Sequence, residues 1–528
     1  VSDDPETADA VVIGAGPNGL VAANLLADAG WDVLVLEAFD RPGGAVATDD
    51  DVAPGFRHDT FSSFYPLGAA SPVIRGLDLE QHGLVWSHAP AVIGSPGPDG
   101  GWALVHRDAE RTIAGLEASC PGDGDGWRAL YGRWLRIGGS LVDALLSPFP
   151  PIRAGMRLGG AMLRGGLADD VQFLLRPATA MTAQHLRSEA AKLLVVGNAA
   201  HADLPPDGAG SGLFGWLLAM IGQQRGFPVP RGGAGSLTDA LVRRLVAAGG
   251  RVRCGAEVEE ILVADGRAVG VRTAAGRLRT RRAVIADVGA PALYERLLPA
   301  AAVPHRIRQR MQGFTWDPGT VKVDWALDRP VPWADTPETA PGTVHLPGGS
   351  GTAGDVSVWM SEVQSGIVPA DPFLLIGQMT TSDPTRSPAG TESLWAYTHV
   401  PQHTVRDAGT GISGRWDRDD LERMADRMQG RLERAAPGFG ARVIARRVLG
   451  PREFEARNAN LHGGALGGGT ANLHQELVLR PIPGRGRAET HLGGLYLGSS
   501  AAHPGGGVHG APGANAARAA LWHARFRP

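Results

Sequence analysis

The chain has 528 residues, 43% of them hydrophobic, and 51 Lys and Arg against 54 Asp and Glu give a net charge of −3. That length predicts two or more domains, or one domain interleaved with another. The near-neutral balance and the lack of a basic tract exclude a nucleic-acid footprint, and a hydrophobic share of this size supports large cores.

The first informative stretch is Ala10 to Ala45. Ala10–Ile13 reads as a buried parallel strand. Gly14-Ala15-Gly16-Pro17-Asn18-Gly19 follows, then a helical pattern to about Ala29, then a second strand, Asp32–Leu36, ending in Glu37. Strand, glycine turn, helix, strand, acid is the order of a dinucleotide-binding βαβ unit. Gly14 permits the tight turn, Gly16 lets backbone approach a diphosphate, and Gly19 lets helix pack on strand. The helix N-terminus offers free N–H groups and partial positive charge to that diphosphate. Glu37 stands where a carboxylate accepts from ribose hydroxyls, and an acid there disfavours the 2′-phosphate of NADP. The same glycine spacing recurs at Gly210–Gly215, Gly349–Gly354 and Gly505–Gly510. None of these copies reads as following a strand, opening a helix and meeting an acid about 20 residues on.

Further along, Arg41-Pro42-Gly43-Gly44-Ala45 places a paired glycine just past the acid, where the chain doubles back over the diphosphate. Pro54-Gly55-Phe56-Arg57-His58-Asp59-Thr60-Phe61-Ser62 follows. Residues 76–224 change character: apolar helical patterns alternate with Pro and Gly breaks, without βαβ repeats. Within them, 135–176 carries Leu141, Val142, Leu145, Leu146, Met156, Leu158, Met162, Leu163 and Leu167, interspersed with Arg153, Arg157 and Arg164. This segment reads either as helices packed on the substrate-domain core or as an amphipathic surface that touches membrane lipids, in peripheral contact with a membrane, or lines a lipophilic channel. Dinucleotide-domain features return with a helix at Leu237–Ala248, a strand pair at Val252–Ile261 and Ala268–Thr273, and a buried strand at Arg282–Asp287. Residues 311–480 read as an inserted mixed domain. The last return is Gly494-Leu495-Tyr496-Leu497-Gly498-Ser499-Ser500, a glycine turn, and a terminal helix, Gly513–Ala524. The expected division is a dinucleotide domain of 1–75, 225–310 and 484–528, and a substrate domain of 76–224 and 311–483.

Cys120 and Cys254, the only cysteines, form no CxxC pair and no metal-ligand spacing. Both are expected as buried thiols, and no metal site is expected. No run of 18 apolar residues marks a membrane span, and no leader pattern precedes the first strand, which points to a cytoplasmic protein.

Gly43-Gly44 resembles the two-glycine signature of flavoproteins in the amine oxidase and phytoene desaturase superfamily. That family usually carries Arg after the two glycines; here Ala45 stands. The run Gly494–Ser499 with His503-Pro504-Gly505-Gly506-Gly507-Val508-His509-Gly510-Ala511-Pro512-Gly513 resembles the closing flavin motif of the phytoene desaturase and carotenoid isomerase-like family. Trp395-Ala396-Tyr397-Thr398-His399-Val400-Pro401 and Leu477–Pro483 fit its bacterial branch. The resemblance covers nearly the whole chain and is weakest over 100–220.

It implies an α/β fold: a Rossmann-like FAD domain of the two-glycine type, interleaved with an α+β substrate domain. It implies noncovalent FAD, since neither cysteine lies in the closing motif; His503 and His509 are the residues there that could carry a link. The cofactor contacts it implies are Gly14, Gly16, Gly19, Glu37, Gly43, Gly44, Ala45, Ser62, Val258, Ser499, Gly507 and Val508. The implied chemistry is hydride transfer from a substrate C–H bond to flavin N5, which needs close placement and exclusion of water. An allylic or amine carbon needs little acid–base machinery, and no Ser-His-Asp or paired-carboxylate pattern is visible. Lys322, in Gly319–Leu327, resembles the amine oxidase lysine that holds a water at N5, where a cation favours reduction of dioxygen. His503, and more weakly His58, are candidates for orienting substrate or holding a proton. No two-tyrosine cage is apparent among five tyrosines, which favours a lipophilic, isoprenoid or polyene-like substrate over an amine. An amine oxidase using dioxygen and a redox-neutral isomerase with reduced FAD remain the alternatives.

Overall fold

The structure, a computed structural model, describes residues 6–526. Two seven-stranded sheets organise it. The first is built around β1 (Thr7–Ile13), α1 (Pro17–Asp28) and β2 (Val33–Leu36). β1 pairs parallel with β2, Ala10 opposite Val33 and Ile13 opposite Leu36. On its other side β1 pairs parallel with Gly276–Ala286, and Leu495–Leu497 joins that strand in parallel. Parallel strands covered on both faces read as continuous apolar runs. Here one face packs under α1 and the helices Gly235–Ala247 and Ala511–Phe526, and the other packs on residues 290–311.

The second sheet has the order 443–449, 319–327, 392–400, 374–378, 341–346, 91–96, 102–105. Its central strands show how alternation assigns faces. Val321, Val323, Trp325 and Leu327, with Leu394 and Ala396, pack into the core that also holds Leu421, Met424 and Met428 of helix Arg418–Ala435. Thr320, Lys322 and Asp324, with Trp395, Tyr397 and His399, therefore share the opposite face. The register sets Lys322 opposite Tyr397 and Thr320 opposite His399. A bundle of helices from 109–225 covers the far end of the molecule.

Several elements differ from the sequence reading. The strand expected at Val252–Ile261 is two strands, Arg251–Arg253 and Val258–Ala264. The break has a physical cause: the Gly255 and Ala256 N–H groups donate to Phe39 and Glu37 carbonyls at 2.8 Å, and Gly255 turns at φ +63°. The chain thereby leaves its parallel partner β2 and turns into an antiparallel ladder with 267–273. The buried strand expected at 282–287 extends back to Gly276. Residues 76–224 are not purely helical, because Ala91–Pro96 and Trp102–Val105 form an edge of the second sheet. The cysteines are free and half-buried rather than buried. Among the described residues no helix is long and apolar enough to cross a membrane.

Candidate cofactor and substrate site

The N-terminal turn brings the predicted dinucleotide residues together. Gly14 has φ +94°, and a Cβ on Gly19 would lie 2.2 Å from the Gly14 carbonyl oxygen, so side chains are barred at both. Helix α1 starts with Gly16 as N-cap, Pro17 at its first position and no side-chain cap. A side chain at the N-cap would take one of the first N–H groups; without it, and with no N–H on Pro17 and the Gly19 N–H held by Asp287, the Asn18 N–H is the one left for an anion. Gly43 folds back over the turn: its N–H donates to the Ala15 carbonyl at 2.9 Å, and a Cβ on Gly44 would meet Gly16 Cα at 3.1 Å. Glu37, 7% exposed, accepts from the Ala15 N–H at 2.8 Å and the Phe39 N–H at 3.0 Å. The 255–258 loop runs beside it through the Ala256 bond, and Val258 is buried at its end. Ser62 Oγ donates to the Ala45 carbonyl at 2.8 Å, joining two further predicted residues.

The closing motif meets the same turn. A Cβ on Gly513 would lie 1.9 Å from the Asn18 carbonyl oxygen, so helix Ala511–Phe526 starts against α1. His509, buried, accepts the Ala511 N–H at 3.1 Å and so caps that helix. Burial pushes its pKa down to about 4, which fits a neutral acceptor. Gly507 and Val508 take positive φ, +117° and +53°. Ser499 Oγ donates to the Val288 carbonyl at 2.6 Å. His503 Nε2 lies 3.1 Å from the Ser147 carbonyl, against Phe149, and burial lowers its pKa. Unpartnered buried polar atoms, Asn18 Oδ1 and both amide atoms of Asn515, sit in the two helices that meet here. Such atoms carry a desolvation cost unless a ligand or water pairs them. An uncapped helix, a glycine-lined cradle, a buried ribose-side acid and these orphan groups together fit a dinucleotide such as FAD.

Sequence reasoning missed Asp287, one residue past its strand. The Gly19 N–H donates to Asp287 Oδ2 at 2.8 Å, and a Cβ on Gly16 would meet that same oxygen at 2.8 Å. A carboxylate therefore lies directly beneath the anion-binding turn. Burial pushes it up to about 7; the Gly19 bond opposes this and the Glu37 charge adds to it. It also missed Arg480, 1% exposed, whose guanidinium donates to the carbonyls of Gly467, Gly469, Thr470 and Ser500 and to Glu476. Arg480 is thus the clamp between the closing motif and the 464–482 loop. Only the Leu477–Pro483 match pointed there.

Lys322 is 2% exposed; its ammonium donates to the Asp59 carbonyl at 2.9 Å and pairs with Asp324. Burial lowers its pKa, with Asp324 opposing. Asp324 also accepts from Arg447 at 2.8 Å, and Arg447 reaches Asp49. Beside this chain, buried Arg386 joins Asp59 at 2.9 Å to Asp383 at 3.1 Å. Together these ion pairs tie the 48–60 hairpin of the first domain to the second sheet. His58 donates through Nε2 to the Trp325 carbonyl, 3.2 Å away, and burial lowers its pKa. The Lys322 ammonium also lies 6.0 Å from the Trp395 ring centroid, and that ring stacks on Tyr397.

The repeated glycine spacing needs one correction. Gly349–Gly354 does follow a strand, Pro341–Leu346, opens helix Ala353–Gln364 and meets an acid: the Gly349 N–H donates to Asp371 at 2.8 Å. What sets it apart is that Thr352 and Asp355 form a capping box and occupy the helix N-terminus. In addition, the next strand, Ile367–Val368, pairs in another sheet. Among the described residues no group of three or more His, Cys, Asp or Glu is placed to hold a metal ion.

A Rossmann-like dinucleotide sheet joined to a separate mixed sheet defines an amine-oxidase type of flavoprotein fold. The comparisons agree. Residues 12–77 match the NAD(P)-binding Rossmann-like domain, and 142–397 match the flavin containing amine oxidoreductase family. The chain is 27% identical to pyridine nucleotide-disulfide oxidoreductase domain-containing protein 2 of Rattus norvegicus, over 96% of this chain and 92% of that one. It is 24% identical to the lycopene-forming phytoene desaturase of Pseudescherichia vulneris, over 97% and 98%. A solved double mutant of putrescine oxidase shares the fold with a TM-score of 0.61 at 18% identity, covering 98% of this chain and 99% of that one. The protein is a flavin-containing oxidoreductase, distantly homologous along its full length to phytoene desaturases and prolycopene isomerases.

Proposed function

We propose that this chain holds FAD noncovalently and dehydrogenates a lipophilic, isoprenoid or polyene-like molecule. The carrying observation is the uncapped α1 turn, with Gly43-Gly44 folded over it and Glu37 beside it. When bound, FAD supplies the hydride acceptor at N5. Gly14, Gly16, Gly19, Gly43 and Gly44 would lie along the diphosphate and Glu37 at the ribose. Ala45, Ser62, Ser499, Gly507 and Val508 would frame the ring end, and Val258 the adenine. Noncovalent holding is supported by His509, whose Nδ1 caps a helix, and by the absence of a cysteine from the closing motif.

The apolar character of the substrate is supported by the surface. Ile152, Met156, Leu163, Leu167, Val171 and Leu175 are all more than 40% exposed along two consecutive helices. Arg153, Arg157 and Arg164 stand among them, a composition suited to a lipid surface. This patch adjoins the closing motif through the Ser147–His503 contact. Anaerobic mixing tests the reading: polyene substrates bleach the flavin absorbance, and bleaching by amines alone refutes it. A second reading, an amine oxidase using dioxygen, is favoured by Lys322 beside the Trp395–Tyr397 stack. Its consequence is slower flavin reoxidation in Lys322→Met, measured by stopped flow; an unchanged rate removes that reading.

A further inference from the structure

The face of the second sheet that carries Lys322 also carries a polar cluster that extends beyond the Trp395–Tyr397 stack. Tyr397 and His399 stand on it two residues apart, with ring centroids 5.4 Å from each other. His399 Nε2 lies 2.7 Å from Asp203 Oδ1, and Trp359 packs on the His399 ring at 5.8 Å. His201, at the end of helix Glu189–His201, contacts the Tyr397 ring at 6.3 Å. His345 completes the group: its Nδ1 lies 3.1 Å from the Leu193 carbonyl.

This cluster is short of partners. His201 Nδ1, His345 Nε2, Thr320 Oγ1 and Trp359 Nε1 are buried without a hydrogen bond, and the Tyr397 hydroxyl has none among the described residues. Burial pushes His201 down to about 4 and His345 to about 3, so both are neutral. A neutral His345 that donates through Nδ1 to Leu193 leaves Nε2 as a bare acceptor. Burial opposes charge on His399, but Asp203, and Asp317 beyond it, outweigh burial and raise its pKa. Asp203 is thus engaged by His399, Asp317 by the Gly467 and Gly469 N–H groups, and the remaining groups are neutral donors and acceptors.

The accessible surface is uneven. Tyr397, His201 and Asp203 are only half-buried, whereas their neighbours on the sheet are buried. These three residues are the accessible edge of the cluster. The loop after Asp203 leads from this edge to the exterior patch. The Gly210 N–H donates to the Leu175 carbonyl at 2.9 Å, and Leu473 packs over Gly210.

We infer that Tyr397, His201, His345 and Trp359 form a subsite for the hydroxyl-bearing end of an otherwise apolar molecule. A hydroxyl both donates and accepts, and so satisfies a set holding unpaired donors and an unpaired acceptor. A carboxylate is disfavoured by Asp203 and Asp317, and an ammonium finds Asp203 already engaged by His399 at 2.7 Å. The inference deepens the proposed function by naming an end group, and it rests on that reading only for the apolar remainder of the substrate.

The test uses holoprotein and three probes of equal chain length: 1-decanol, 1-decene and decylamine. Binding is read by quenching of tryptophan fluorescence, since Trp359 and Trp395 border the subsite, and not by flavin reduction. One hydrogen-bonded hydroxyl predicts 1-decanol binding about tenfold tighter than 1-decene. Tyr397→Phe and His201→Phe should each reduce that ratio at least about threefold, with circular dichroism and flavin content unchanged. Equal affinities for 1-decanol and 1-decene, a ratio untouched in both variants, or tighter binding of decylamine would overturn the subsite. A chain that binds FAD but shows no preference refutes the subsite alone. A chain that shows the preference but binds no FAD refutes the proposed function alone.

Discussion

Replacing Asp287 with Asn changes one charge at the most electrostatically demanding point of the structure. Asp287 Oδ2 occupies the Gly19 N–H beneath the turn where a diphosphate would sit, and its pKa is raised to about 7. A diphosphate diester keeps two negative charges across the neutral range, so it binds best to the protonated form of Asp287. Linkage then fixes the sign. Below pH 6 the carboxyl is neutral and FAD affinity is flat. Above pH 7 a proton must be taken up on binding, and Kd rises about tenfold per pH unit. Between pH 6 and pH 8 the expected change is about tenfold. Asp287→Asn keeps an oxygen for the Gly19 N–H, removes the titration, and should bind FAD with a pH-independent Kd. Stability moves the same way. A carboxyl raised from 3.8 to about 7 contributes its full stability below pH 3.8, and that contribution is lost progressively as pH rises to and through 7. The loss is of order 4 kcal/mol at most, about half of it between pH 5.5 and 8. Fluorescence titration of apoprotein with FAD across pH 5.5–8.5 measures the first effect, and urea melts at pH 5.5 and 8 the second. A wild-type Kd that does not vary between pH 6 and 8, or a variant that varies as much as wild type, refutes the reasoning.

Arg480→Ala strands Glu476 and several carbonyls in a buried site; removing one partner from such a network costs about 3–5 kcal/mol. The expected result is a lower melting temperature with loss of bound flavin, and Arg480→Lys recovers only part of it because one ammonium cannot reach all the acceptors. The combined variant Ile152→Ser, Met156→Ser, Leu163→Ser removes three exposed apolar side chains from the patch. Co-sedimentation with anionic phospholipid vesicles should fall at least about tenfold, with an unchanged melting temperature; equal co-sedimentation would exclude lipid contact through this face.

The first sheet was legible because its signals are local. β1, α1, β2 and Glu37 follow one another within thirty residues, and each has one dominant physical reading. Asp287 was not legible. Its carboxylate reaches Gly19 across 268 positions of sequence, and nothing near Ala286 marks it. The Asp203–His399 pair was hidden for the same reason. His399 lay inside a motif that had been recognised, but its partner comes from a helix end in the segment that matched least. Glycine spacing proved the weakest guide. Gly349–Gly354 repeats strand, turn, helix and acid, yet Thr352 and Asp355 close its helix terminus. What distinguishes the two is what holds the first N–H groups: a capping box within the helix at Gly349–Gly354, and at the N-terminal turn only Asp287, which reaches the Gly19 N–H from another strand and leaves the Asn18 N–H uncapped. Val252–Ile261 failed as a single strand because backbone amides at 255–256 find carbonyls of the 37–39 turn, a tertiary pairing that apolar pattern does not encode.

The most direct measurement is the flavin content of the purified protein and its fate on denaturation. The account predicts one FAD per chain, released quantitatively into the supernatant by acid precipitation and identified as FAD by fluorescence before and after phosphodiesterase. It also predicts that apoprotein regains the flavin spectrum on adding FAD, and does not regain it on adding NAD. Flavin that remains with the precipitated chain, or a protein that retains NAD and rejects FAD, contradicts it.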